Sequence, residues 1–135
     1  MPVKVFTVRT RAHTDFVNIT PLVEEFIRSS GISNGLLVVY VPHTTAAVFI
    51  NEGADPDVVR DIAYKLDRII EWNDPHYRHA EGNSAAHIKS AIIGNSRVVP
   101  VVDGQPVLGT WEAIFLAEFD GPRTRKVVLQ IIEDR

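Results

Sequence analysis

Cysteine is absent from the 135 residues, and methionine occurs once. Disulfide staples, thiolate nucleophiles and cysteine-ligated metal centres are therefore excluded, and any metal would fall to histidine and carboxylate side chains. No apolar run approaches the ~20 residues of a membrane-spanning helix. The opening MPVKVFTVRTR alternates instead of forming the apolar centre of a signal peptide, so a cytoplasmic location without a membrane partner is expected. Basic charge is not in excess either. Lysine and arginine number 14 against 17 aspartates and glutamates, a formal net charge of −3, which argues against a general nucleic-acid binder. HExxH, GxGxxG and the nucleophile elbow are also missing, which removes the standard zinc-protease, dinucleotide-binding and serine-hydrolase signatures.

What is present reads as one domain over residues 1–135, with 45% apolar residues and room for a hydrophobic core without staples. Strands are expected at Val3 to Thr10 and Phe16 to Ile19. Thr20-Pro21 then reads as a helix start and Gly31 as its stop. Gly35 to Val41 is a continuous apolar run, expected to be buried on both faces. Pro42 breaks its ladder and delivers His43, Thr44 and Thr45 before a strand resumes over Ala46 to Asn51. Asp55-Pro56 opens the most regular helix, whose stripe of Val58, Val59, Ile62, Ala63, Leu66, Ile69 and Ile70 faces a sheet.

The long polar loop from Glu71 to Asn83 runs into a short helix over Ala85 to Ile92. Strands then follow at Ser96 to Val102, Gln105 to Leu108, Ala113 to Phe119 and Thr124 to Ile132. Helices do not alternate regularly with strands. An α+β fold is expected, with two packed or strongly curved, mainly antiparallel sheets, about three helices, and those helices on one face.

The stretch YRHAEGNSAAHIKSA, Tyr77 to Ala91, carries more chemistry than folding requires. His79 and His87 flank a Glu81-Gly82-Asn83-Ser84 turn, with Lys89 close behind. Histidine is the usual general base near neutral pH and the commonest metal ligand. A helix start near Asn83 and Ser84 offers backbone N–H groups to an anion. The same residues are equally what a solvated loop would contain. Arg123-Thr124-Arg125-Lys126 is the one dense basic run, read as either a solvated strand edge or an anion site.

Three segments, GLLVVYVPHTTAAVFINEGADP, YRHAEGNSAAHIKSAIIGNS and LGTWEAIFLAEFDGPRTRK, occur in the order found in the YjbQ-like family, which the chain resembles from about Gly35 to its end. That family is also labelled secondary thiamine-phosphate synthase. The resemblance implies an α+β domain in a homo-oligomer, a trimer, with His43, His79 and His87 as ligands of a zinc-type metal. If the chemistry is metal-dependent hydrolysis, Glu81 or Glu112 would serve as general base. Thr44, Thr45, Asn83, Ser84, Lys89, Arg123 and Arg125 would hold a small phosphorylated or anionic substrate, and magnesium would accompany a diphosphate. Metal-dependent hydrolysis and non-catalytic ligand binding are the competing readings. Two departures from the family pattern matter: Glu112 stands where glutamine is usual after the GTW tryptophan, and Lys89-Ser90-Ala91 replaces KSS.

Overall fold

The computed structural model describes residues 2–135. Its strands are β1 (Val3–Arg9), β2 (Asp15–Asn18), β3 (Gly35–Tyr40), β4 (Ala46–Glu52), β5 (Ser96–Val102), β6 (Gln105–Pro106), β7 (Glu112–Glu118) and β8 (Thr124–Glu133). Three helices, α1 (Thr20–Ser30), α2 (Pro56–Ile69) and α3 (Ser84–Ile93), connect them. The strands form a five-stranded sheet in the order β1-β8-β3-β5-β6 and a three-stranded sheet in the order β2-β7-β4. Every pairing is antiparallel.

Period-two burial on the larger sheet explains its role. Val8, Leu37, Val39, Val99, Val101, Val127, Leu129 and Ile131 point inward. They meet Ala46, Val48, Ile114 and Leu116 of the smaller sheet, with Val23, Phe26 and Ile27 of α1 joining the same core. The alternate residues of the larger sheet face outward: Val3, Val5, Leu36, Tyr40, Val98 and Ile132 are all exposed. The smaller sheet is covered on its other side as well. Ala47, Phe49, Ala113, Phe115, Ala117 and Phe119 form a second cluster with Ala86 of α3 and with Val59, Ile62 and Leu66 of α2. Phe49 and Phe115 stack with centroids 5.2 Å apart, and Phe16 meets Phe49 edge-on at 5.0 Å.

Three expectations are corrected here. The helices do not share one face, because α1 packs into the core between the sheets while α2 and α3 cover the outer side of the smaller one. Burial on both faces falls to β7 and the first half of β4 rather than to β3, since β3 lies in the larger sheet with one side uncovered. Thr20 begins α1 without capping it. Its hydroxyl instead accepts the Ile114 N–H at 2.9 Å, linking the helix start to β7. Asp55 does cap α2, its carboxylate accepting the Asp57 N–H at 2.9 Å.

Gly35 opens β3, between β8 and β5, where a Cβ would lie 2.2 Å from the Ile132 carbonyl oxygen. That oxygen belongs to a paired strand and cannot swing away. Gly35→Ala is expected to cost about 1–3 kcal/mol, read as a lower urea midpoint with the transition slope unchanged. An unaltered midpoint would mean that β3 and β8 are spaced more widely than described.

Candidate functional site

Beyond Tyr40, β3 leaves the larger sheet at Pro42, which has no N–H to give. Tyr40 pairs with Val128, so two residues further on Pro42 would stand opposite Lys126. The Lys126 backbone N–H is left without a strand partner there, and His43 Nε2 accepts it at 2.9 Å. The loop is held on its other side by the end of α3: the Val41 N–H donates to the Asn95 carbonyl (2.8 Å) and the Val48 N–H to that of Gly94 (3.1 Å). His43 and α3 therefore share a cavity of about 330 Å³, lined by His43, Thr44, His87, Ser90, Gly94 and Asn95 among others. The Ser90 hydroxyl is buried and has no hydrogen-bond partner among the described residues.

Beneath His43 lies a buried ion pair that the sequence did not announce. Glu118, at the end of β7, is fully buried, and Arg125 of β8 is 5% exposed. Arg125 Nε donates to Glu118 Oε1 at 2.8 Å and its Nη2 donates to Glu118 Oε2. Nη2 also reaches Thr45 Oγ1 at 2.8 Å, and the Thr10 hydroxyl donates to Glu118 Oε1 at 2.8 Å. Burial alone would raise the Glu118 carboxyl. The hydrogen bonds from Arg125, the Asp120 N–H and Thr10 outweigh it and hold the group below the usual carboxylate range. For His43, burial first and the Arg125 charge second push the imidazole below its ordinary value, so it is neutral at physiological pH.

His79 and His87 meet ring to ring, with centroids 5.2 Å apart and planes at 86°. They line a second cavity of about 420 Å³ with His76, Tyr77, Arg78, Ser84 and Ile88. His87 thus belongs to both of these cavities, while of the two His43 lines only the first and His79 only the second. Among the described residues, no three histidine or carboxylate side chains are grouped closely enough to hold a metal ion. His43 is also unsuited to be the third ligand in this geometry. A neutral imidazole has one ring lone pair, and the Lys126 N–H occupies it. His79 and His87 are the pair that would hold a zinc-type ion. Neither cavity is lined by one of the carboxylates through which magnesium is usually held.

The remaining expected residues disperse. Thr44 lines the His43 cavity and Ser84 the His79 cavity. Thr45 and Arg125 are committed to the buried network, so β8 presents no solvated arginine edge at Arg125. Lys89 is 2% exposed, and its Nζ donates to Asp67 Oδ1 at 2.9 Å, tying α3 to α2 instead of awaiting an anion. The Asn83 amide donates to Asp120 Oδ2 at 2.9 Å, and Arg123 Nη2 to the same oxygen at 3.0 Å. Burial would raise the Asp120 carboxyl, but Asn83 and Arg123 together lower it. Asn83 precedes α3 without capping it.

Glu81 is exposed in the turn before α3 and lines neither histidine cavity. Glu112 starts β7 while Glu118 ends it, a span of roughly 20 Å at strand rise. Its carboxylate accepts the Gly109 N–H at 2.8 Å, so within one chain it does not reach the histidines. Sequence reasoning passed over Glu118, Asp120 and Asn95. The signal for Glu118 was there, as the one acid inside AIFLAEF.

The fold and a histidine-lined cavity at the seam of two antiparallel sheets define a class of small α+β proteins, and the comparisons give it a family. The description "UPF0047 protein YjbQ-like" matches residues 4–134, and the chain belongs to that family. A UPF0047 protein of Methanocaldococcus jannaschii is 46% identical over 132 residues, covering 96% of this chain and 94% of that one. The UPF0047 protein YugU of Bacillus subtilis is 43% identical over 129 residues, covering 96% and 98%. A solved YjbQ/UPF0047-family structure from Clostridium acetobutylicum superposes with a TM-score of 0.93 at 46% identity, covering 96% of this chain and 99% of that one. Among the described residues no helix is long and apolar enough to cross a membrane.

Replacing one half of the buried pair tests the network. Glu118→Gln leaves Arg125 charged and buried, an expected loss of about 3–5 kcal/mol at pH 7 by urea unfolding. The acid limb changes too. A carboxyl lowered in the folded state contributes stability above the usual carboxylate range and loses it as pH falls through its folded value. Thermal midpoints of the variant should therefore fall less steeply than those of the native chain below about pH 4.5. Parallel curves would remove Glu118 from the ion pair.

Proposed function

We propose that this protein is an enzyme acting on a small phosphorylated heterocycle, with the cavity between His43 and His87 as its substrate site. The observation that carries this reading is one cavity of about 330 Å³ lined by two histidines distant in sequence and by Ser90, whose buried hydroxyl has no partner among the described residues. Folding alone gains nothing from leaving a hydroxyl without a partner, whereas a bound oxygen would satisfy it. The reaction is transfer of the kind that forms thiamine phosphate. A ring nitrogen of a thiazole phosphate bonds to the methylene carbon of a pyrimidine diphosphate, and the C–O bond to the diphosphate breaks. Developing negative charge on that leaving group calls for hydrogen-bond donors, and the cavity supplies them from His43, Thr44 and Ser90.

The second reading is zinc-dependent hydrolysis of a small phosphorylated or ester substrate. The adjacent rings of His79 and His87 favour it, as two of the ligands such an ion requires. A bound zinc would supply an activated water; the chain's own contribution would be to orient the substrate from the neighbouring cavity. A homo-oligomer, a trimer, belongs to the proposal as well. The outward apolar residues Val5, Leu36, Val98 and Ile132 of the larger sheet are the surface that copies would cover.

Growth rescue of a host lacking thiamine-phosphate synthase is the direct test. Rescue by the native chain, with loss of at least tenfold in rate for His43→Ala and His87→Ala, supports the transferase. No rescue, with phosphatase or esterase turnover that depends on added zinc, moves the assignment to hydrolysis. Light scattering settles the assembly: the native chain is expected at three times its monomer mass and Val98→Lys at a lower one. A monomeric native chain would end the trimer proposal.

A further inference from the structure

The main chain decides which nitrogen of His43 carries the proton. The Lys126 N–H can only donate, and it meets His43 Nε2 at 2.9 Å because the ladder between β3 and β8 ends two residues short of it. In a neutral imidazole the accepting nitrogen is bare and the other is N–H. Protonating Nε2 would set two N–H groups head to head, which reinforces the neutral form. Nδ1–H is then the only polar hydrogen that His43 has for the cavity it lines. Beside it, Ser90 is 6% exposed as a residue and its hydroxyl is buried and unpartnered among the described residues, and Thr44 adds a third hydroxyl-bearing or N–H-bearing side chain. No carboxylate lines this cavity.

We infer that His43 is neither a metal ligand nor a general base, but a fixed Nδ1–H donor that, with Ser90 Oγ–H, binds an oxygen anion of the substrate. This rests on the His43 cavity being the substrate site, and it narrows the ligand to a phosphate or carboxylate group. The lone pair that a metal or a transferred proton would need is held by the Lys126 N–H. Burial and the nearby Arg125 guanidinium act in the same direction, keeping the ring uncharged. The anion is then met by oriented neutral donors.

Two-bond proton–nitrogen correlation spectra of the full-length, nitrogen-15-labelled protein read this directly, with His43 assigned by its loss in His43→Gln. Nε2 is expected at a pyridine-type shift and Nδ1 at a pyrrole-type shift. A pyrrole-type Nε2 overturns the inference. Inorganic phosphate should move the Nδ1 signals, and acetate in a parallel titration tells a phosphate site from a carboxylate site. Neither anion moving Nδ1 overturns the donor role. Zinc should leave the His43 signals in place, and a zinc-dependent shift at Nδ1 overturns the exclusion of His43 as ligand. Ser90→Ala should weaken phosphate binding about tenfold without lowering the melting temperature. A lower melting temperature with unchanged phosphate affinity makes Ser90 structural and removes it from the site. None of these measurements reads turnover. Failed rescue with an Nδ1 response would discard the transferase and keep the donor, whereas rescue with an unresponsive Nδ1 would do the reverse.

Discussion

A carboxylate with no exposed surface must be matched where it lies, and matching Glu118 organises this protein. Its partner Arg125 belongs to the other sheet, so one ion pair fastens β7 to β8 across the seam of the fold. Thr10, just past β1, and Thr45, just before β4, complete the hydrogen bonding. Thr10 and Thr45, far off in the sequence, are thereby held at one point with the two strands that flank the 119–123 turn. Removing either charge would strand the other in a medium that solvates it poorly, so the network acts as a unit. Its position one residue from Lys126 also fixes the backbone N–H on which His43 depends.

The histidines divide their surroundings instead of pooling them. His43 faces a donor-lined cavity bounded by the end of α3, and His79 faces a wider one bounded by the loop before α3. His87 stands between, in edge contact with His79. That partition follows from the connections: His43 sits where a proline interrupts a strand, whereas His79 precedes a helix that carries His87 one turn in. The side chains thus form two neighbouring cavities that share His87 rather than a single three-histidine centre.

Most of the architecture was legible because it is written in local pattern. Asp55-Pro56 opening α2, Gly31 closing α1 and the strand-length apolar runs all depend on neighbours a few residues away. The errors came where burial is set by distant partners. GLLVVYV looks buried on both sides, but only the layer above β3 exists within one chain, while β7 is sandwiched between the larger sheet with α1 and the pair α2 and α3. Lys89 and Arg125 read as surface cations for the same reason. Asp67 lies 22 residues from Lys89, and Glu118, though only seven from Arg125, belongs to the other sheet, so neither pairing shows in the local pattern. Histidine positions could be named from the motif, but the tautomer of His43 could not, since it hangs on a register between β3 and β8.

The far edge of the larger sheet has a bearing on how copies of the chain can meet. There β5 is bordered only by β6, two residues long and ending in Pro106, which lacks the N–H an incoming strand would pair with. A strand added at Pro106 would find no N–H to pair with, whereas β1, on the opposite border of the same sheet, keeps its N–H groups. Lateral pairing between copies is thereby disfavoured at the proline and left to the β1 border and the sheet faces.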